Sequence, residues 1–195
     1  MIKCSTTAIL LAAGIATSAA ALEIGNEIVA THVKMQSIDD ATLTLSELKG
    51  GKGTLVVFSS SRCPVVLSWQ KTMVDIGNTY SKKGIGVIFI NSNDPDAKGD
   101  TFENMKKMAR EEGYQFPFLA DSSSEVARSF GATKTPEVFL FDADDKLVYK
   151  GAVGEGGRSV GDEIWLKDAL DALLAGEEIK KPVTKSIGCG IDFRP

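Results

Sequence analysis

Cys63 and Cys189 are the residues of this 195-residue chain whose types and settings could do redox chemistry. The stretch 53–66 reads GTLVVFSSSRCPVV, and Leu55 to Phe58 within it is an unbroken apolar run, the pattern of a strand buried on both faces. Three serines and Arg62 follow, then Cys63 and Pro64. From Val65 onward apolar residues recur at helical spacing, at Val65, Val66, Trp69, Met73, Ile76 and Tyr80. Pro64 suits a first-turn position, where its missing N–H costs little and its fixed φ fits. The spacing therefore predicts that Cys63 sits where a buried strand ends and a helix begins, beside unpaired N–H groups and a positive dipole end that favour an anion. A thiol of ordinary pKa, ~8.5, is only about 3% thiolate at pH 7, whereas a helix N-terminus can bring it to roughly 3.5–7.5. The adjacent Arg62 is expected to help. The chemistry implied is that of a nucleophilic or redox cysteine. The competing reading is an inert buried cysteine, a type that seldom sits at a polar strand-to-helix turn.

The order strand, short loop, Cys-Pro, helix resembles the thioredoxin fold, and in particular its redoxin branch, the alkyl hydroperoxide reductase/thiol-specific antioxidant and thioredoxin-like proteins. The resemblance runs from about Gly25 to Arg194 and includes FINSND at 89–94, GATKTPEVFLFD at 131–142, LVYKGAV at 147–153 and SIGCGIDF at 186–193. It implies an α/β class: a thioredoxin fold with a central mixed β-sheet flanked by helices and an N-terminal hairpin extension. It also implies a cis-proline at Pro136, after Thr135, facing the active cysteine, and thiol chemistry without a cofactor or metal. Two motifs depart from the better-known branches. Thioredoxins carry Cys-x-x-Cys, and Val66 stands at the second cysteine position. Peroxiredoxins carry Pro-x-x-x-Thr-x-x-Cys, and Val56 and Ser60 stand at those places. Ser60 keeps a hydroxyl; the proline is absent. The catalytic candidates are Cys63 and Cys189, supported by Ser60, Arg62, Pro64, Thr135, Pro136 and Asn91.

The elements that must position these residues follow from pattern. Length and a composition 43% hydrophobic and 25% charged fit one globular domain. A net charge of −4 argues against a nucleic-acid partner, which would need a basic face. Residues 1–21 read as a signal peptide: Lys3, the apolar stretch Ala8 to Thr17, then Ala19-Ala20-Ala21 as a small-x-small cleavage site. The mature protein would begin near Leu22, exported to the periplasm or the extracellular space, free of the membrane and without Cys4. Residues 22–176 form the redoxin domain and 177–195 a polar, extended tail carrying Cys189. Short strands are expected at Gly25–Met35, with His32 as a surface strand residue, and at Ala41–Leu45. A helical turn at 46–50 precedes the central strand. The long helix ends at Lys82-Lys83-Gly84. Ile85–Ile90 is a second buried strand, parallel to the first through a right-handed crossover, so Asn91 and Asn93 should lie near Cys63. Asp100 is expected to cap a helix bearing Phe102, Met105 and Met108. A strand at Phe116–Ala120, a helix at Ser124–Phe130, strands at Val138–Phe141 and Leu147–Val153, a glycine-rich loop at 154–161 and a last helix at Glu163–Leu174 complete the domain.

Several functions remain open on these residues. A Cys63 thiolate could attack a peroxide, giving a sulfenic acid that Cys189 or an external thiol reductant resolves. It could instead attack a protein disulfide through a mixed disulfide. The two cysteines could form a structural bridge in a non-catalytic binding module. A copper-handling site resembling Cys-x-x-x-Cys is disfavoured, because residue 67 is leucine and the one histidine, His32, lies upstream. The 13 residues from Gly176 to Cys189 reach at most ~43 Å when extended, enough to return to Cys63. Gly188 and Gly190 would let the chain bend there.

Overall fold

In the computed structural model, which describes residues 21–95 and 99–194, the run Thr54–Phe58 is buried at every position. It is a central strand, and its side chains alternate between two cores. Leu55 and Val57 join one, Val56 and Phe58 the other.

The elements in chain order are β1 (Met35–Ser37), β2 (Thr42–Leu43), α1 (Leu45–Leu48), β3 (Thr54–Phe58), α2 (Pro64–Ser81), β4 (Gly86–Asn91), α3 (Phe102–Glu112), β5 (Phe118–Ala120), α4 (Glu125–Phe130), β6 (Lys134–Thr135), β7 (Glu137–Phe141), β8 (Leu147–Gly151), α5 (Trp165–Ala175) and β9 (Cys189–Gly190). Seven strands make one mixed sheet in the order β2-β1-β5-β4-β3-β7-β8, and β6 and β9 form a separate two-stranded ladder. The parallel pairing of β3 with β4 sets Val56 beside Ile88, as the β3–α2–β4 crossover requires. On the other edge β3 runs antiparallel to β7, with Phe58 opposite Glu137. This register places the end of β3, where the cysteine loop starts, next to Pro136. The core with Leu55 and Val57 takes side chains from α2, α3 and α5, including Trp69, Met73, Met105 and Leu170. The opposite core takes Leu45 from α1, Val126 and Phe130 from α4, and Leu22 and Ile28 from the N-terminal arm.

The structure departs from the sequence expectations in several places. The stretch expected as a strand at Gly25–Met35 is mostly an irregular arm. Left-handed turns at Gly25 and Ala30 break it, and it bonds to the β7–β8 turn through Ile28 N–H to the Asp145 carbonyl and a single bridge from Glu27 to Lys146. His32 is exposed in a turn rather than on a strand. The N-terminal hairpin is formed by β1 and β2 instead. β5 starts at Phe118, two residues later than expected, after Pro117, which has no N–H to give a ladder. Asp100 does not cap α3. Thr101 does, accepting from Asn104 N–H at 3.3 Å. The glycine-rich loop is anchored, with Trp69 Nε1 donating to the Gly157 carbonyl at 3.0 Å. The signal segment lies outside the described residues. Among those described, no helix is long and apolar enough to cross a membrane.

Phe130 packs edge-on to Phe58, Phe139 and Phe141 at ring separations of 5.3–5.9 Å and is fully buried. Phe130→Ala is expected to cost about 3–5 kcal/mol, read as a lower urea midpoint at unchanged slope. A cost below about 1 kcal/mol would show that this cluster does not carry the second core.

Candidate active site

Cys63 is the N-cap of the 18-residue helix α2, with Pro64 in the first turn and no side-chain cap bond. It is 1% exposed. The loop before it is fixed by one buried carboxylate. Asp100 accepts from Ser60 Oγ at 2.7 Å, Ser61 N–H at 2.6 Å, Ser61 Oγ at 2.9 Å, Arg62 Nε at 3.1 Å and Asn91 Nδ2 at 3.1 Å. With its own hydrogen donated in a bond to Asp100, Ser60 Oγ accepts the N–H groups of Arg62 at 3.2 Å and Cys63 at 3.1 Å. The hydroxyls of Ser60 and Ser61 and the backbone N–H groups of Ser61, Arg62 and Cys63 are thereby satisfied inside the protein, which fixes Cys63 at the helix start.

The tail supplies the second sulfur. Cys63 and Cys189 form a disulfide with Cα atoms 5.9 Å apart. Their link is framed by the ladder in which Thr135 pairs with Cys189 and Lys134 with Gly190. The Thr135–Pro136 peptide is cis, and the Thr135 carbonyl oxygen lies 3.1 Å from the Cys63 sulfur. The tail is tied down along its whole course. Lys150 N–H donates to the Pro182 carbonyl at 2.9 Å and Thr184 N–H to the Lys150 carbonyl at 3.0 Å. Thr184 Oγ1 accepts from Ala152 N–H and bonds the Tyr149 hydroxyl, both at 2.9 Å. Burial pushes Tyr149 up to about 12, so this hydroxyl stays protonated at any physiological pH. Farther on, Ser186 Oγ donates to Glu137 at 3.1 Å, Ile191 N–H to the Thr133 carbonyl at 3.0 Å and Asp192 N–H to Asn93 Oδ1 at 2.8 Å. At Gly188 the tail lies flat on the cis peptide: a Cβ there would stand 2.1 Å from the Thr135 oxygen.

The expected residues are thus brought together, with changed parts. Arg62 does not stand free beside the sulfur. Its guanidinium is held by Asp100 and by Asp192 of the tail, so its charge is engaged by two carboxylates. Asn91 faces Asp100 and accepts Asn93 N–H and Nδ2, so it supports the loop from behind. Asn93 lies nearer, on a cavity of about 200 Å³ shared by the two cysteines, Ser60, Arg62 and Asp192. The Thr135 hydroxyl is buried without a protein partner among the described residues. A larger cavity of about 590 Å³ lies against α5, lined by Glu163, Asp168, Asp171 and Glu177, and contains no thiol. Sequence reasoning missed Asp100 and Asp192. The one signal pointing to Asp100 was the density of donors at Ser60, Ser61 and Arg62, which needs an acceptor once the loop is buried.

Comparison with known proteins agrees with this fold. The profile of the AhpC/TSA family matches residues 24–150. The chain is 24% identical over 148 residues to the thiol-disulfide oxidoreductase ResA of Bacillus thuringiensis subsp. konkukian, covering 76% of this chain and 80% of that protein. It is similar to the solved structure of an uncharacterized protein from Geobacillus kaustophilus, with 35% identity and a TM-score of 0.82 over 89% of this chain and 93% of that one. The peroxidoxin BcpB of Mycobacterium tuberculosis shares the fold at 16% identity, with a TM-score of 0.60 over 79% of this chain and 97% of that one.

Two substitutions test the site's construction. Asp100→Ala strands the donors of Ser60, Ser61, Arg62 and Asn91 and is expected to cost about 3–5 kcal/mol of stability, whereas an exposed change such as Lys71→Ala stays within about 0.5 kcal/mol. Gly188→Ala keeps the fold but unseats the tail. Under mild oxidation its two thiols should remain titratable after those of the wild type have paired. Equal rates of pairing would mean that the close approach at Gly188 does not govern the disulfide.

Proposed function

The chain belongs to the AhpC/TSA family and is a thiol oxidoreductase, and we propose that its reaction is thiol–disulfide exchange through the Cys63–Cys189 couple. The observation that carries this reading is the seating of Cys189 against Cys63, the N-cap of α2. In the dithiol form, the Cys63 thiolate attacks one sulfur of a substrate disulfide. A bond forms between Cys63 and that sulfur, and the other substrate sulfur leaves as a thiolate. Cys189 then attacks Cys63, releasing the second substrate thiolate and leaving the intramolecular disulfide. The substrate gains two electrons and the protein dithiol loses them. An external thiol reductant restores the dithiol. The names of the ResA relatives support this direction, as do the engaged donors of Ser60 and Arg62, which are bonded to Asp100 and Asp192 rather than offered to a small oxidant.

A peroxidase reading uses the same couple. Peroxide would oxidise Cys63 to a sulfenic acid with loss of water or alcohol, and Cys189 would condense with it, expelling water. The cavity of about 200 Å³ beside both sulfurs favours it, since that space suits a small oxidant. We also read residues 1–21 as an export signal, supported by the Lys3, Ala8–Thr17 and Ala19–Ala21 pattern. A mature mass beginning at Leu22 is the check.

The reduced protein should lower the disulfides of insulin in a coupled assay faster than it consumes hydrogen peroxide. Cys63→Ser should lose both activities. Cys189→Ser should accumulate a mixed disulfide between Cys63 and substrate. Peroxide turnover exceeding disulfide turnover would move the assignment to the peroxidase reading. A couple that resists millimolar dithiothreitol in the folded protein would leave only a structural bridge.

A further inference from the structure

We propose, resting on that reading of the couple, that the external thiol reductant attacks Cys189 and not Cys63, so that the tail carries the mixed disulfide of the reductive half-reaction. The two sulfurs of the bond are not equivalent. Cys63 is 1% exposed and packs into the core with Leu55, Val57, Val66 and Trp69, with the Thr135 carbonyl oxygen 3.1 Å from its sulfur. A thiolate must approach the attacked sulfur from the side opposite the leaving one, and the burial of Cys63 restricts that approach more than the partial burial of Cys189 does. Cys189 is only partly buried. It is flanked by glycines, so no side chain of its immediate neighbours covers its sulfur, and it lines the cavity of about 200 Å³ with Asn93 and Asp192.

The leaving groups differ in the same sense. Exchange is faster when the departing thiolate is the better stabilised one. Cys63 caps a helix of 18 residues with no side-chain cap bond made, so the first-turn N–H groups of Val65 and Val66 are placed to receive its negative charge. Cys189 lies in a two-residue strand with no helix end. Attack at Cys189 therefore expels the sulfur that the fold is built to hold as an anion.

The step balances with a dithiol reductant. Its first thiolate forms a bond to Cys189 while the Cys63–Cys189 bond breaks and its electron pair stays on Cys63. Its second thiolate attacks its own sulfur in the mixed disulfide and leaves as an oxidised dithiol, with Cys189 departing as thiolate and taking a proton from water. Substrate and reductant thus meet different cysteines, Cys63 on the helix and Cys189 on the tail.

The test uses the oxidised wild-type protein and glutathione as a monothiol probe. The two are mixed at equimolar concentration, quenched with acid at increasing times from milliseconds, alkylated and mapped by mass spectrometry. Extrapolated to zero time, the expected result is glutathione on the Cys189 peptide and alkylated Cys63, in about tenfold excess over the reverse pattern. Glutathione mainly on Cys63, an even distribution, or reduction with no Cys189 adduct at any time overturns the inference while leaving thiol–disulfide exchange standing. No reduction by glutathione or by dithiothreitol overturns both.

Discussion

The carboxylate of Asp100 is the constraint on which the site depends. Burying an ionised carboxylate costs several kcal/mol, and the cost is offset only when charge-assisted hydrogen bonds surround it. Here Ser60, Ser61, Arg62 and Asn91 provide them, from the loop before Cys63 and from the end of β4. Hydrogen bonds to charged groups contribute roughly 1.5–3 kcal/mol each, so several together hold the loop against the entropy of ordering it. The same contacts polarise Ser60, whose oxygen then takes the backbone N–H of Cys63. One buried acid thereby fixes the conformation from which the cysteine caps α2.

The sheet makes that arrangement possible. β3 is flanked by parallel β4 and antiparallel β7, so the residues at the ends of β3 and β4 and those just before β7 are gathered at one edge. After β3 comes the cysteine loop, β4 ends on Asn91 with Asn93 just beyond it, and before β7 stands Pro136. The thioredoxin fold brings these three segments together by topology alone, and the tail adds a fourth. Arg62 links the two systems, since one guanidinium holds both Asp100 of the loop and Asp192 of the tail. The exposed end of this pair is of low worth in water. Its buried end is the part that orients Arg62.

The strong periodic signals in the sequence were legible and correspond to the observed elements. The apolar run at Leu55–Phe58, the helical spacing from Val65 to Tyr80 and the glycine stop after α5 all reflect local burial, which the sequence states directly. The Lys134–Pro136 turn was legible through resemblance, because a proline before an apolar strand says little by itself. The weaker elements were misplaced where pattern and packing conflict. Gly25–Met35 alternates well enough to suggest a strand, yet its turns at Gly25 and Ala30 wrap it around the β7–β8 turn. Asp100 was expected as a helix cap, yet its partners are Asn91 at the end of β4 and, 38–40 residues upstream, Ser60, Ser61 and Arg62. Such contacts depend on tertiary geometry and leave no periodic trace. The same holds for Asp192, and for the β6–β9 ladder, whose two-residue strands are too short to carry a pattern.

The tail determines the surface that the disulfide form presents. A strand such as β6 presents one row of backbone groups for pairing, and in the disulfide form Cys189 and Gly190 occupy it. Gly188 is pressed onto the Thr135 carbonyl, leaving no space for a second chain above the cis peptide. The disulfide form is therefore closed over the cysteine that caps the helix. Opening it requires breaking the ladder, the Asn93 contact and the Arg62–Asp192 pair along with the covalent link, whereas the bonds of Thr184 to Tyr149 and Ala152 lie upstream and need not break. Those bonds limit how far the freed end can travel. Between Thr184 and Cys189 there are five residue steps, at most about 17 Å of extended chain, so Cys189 stays within reach of Cys63 after release. A tether of that length keeps the effective concentration of the second thiol high while allowing it to leave the groove. That combination accounts for placing the cysteine on a tail anchored at its base and not within the helix that follows Cys63.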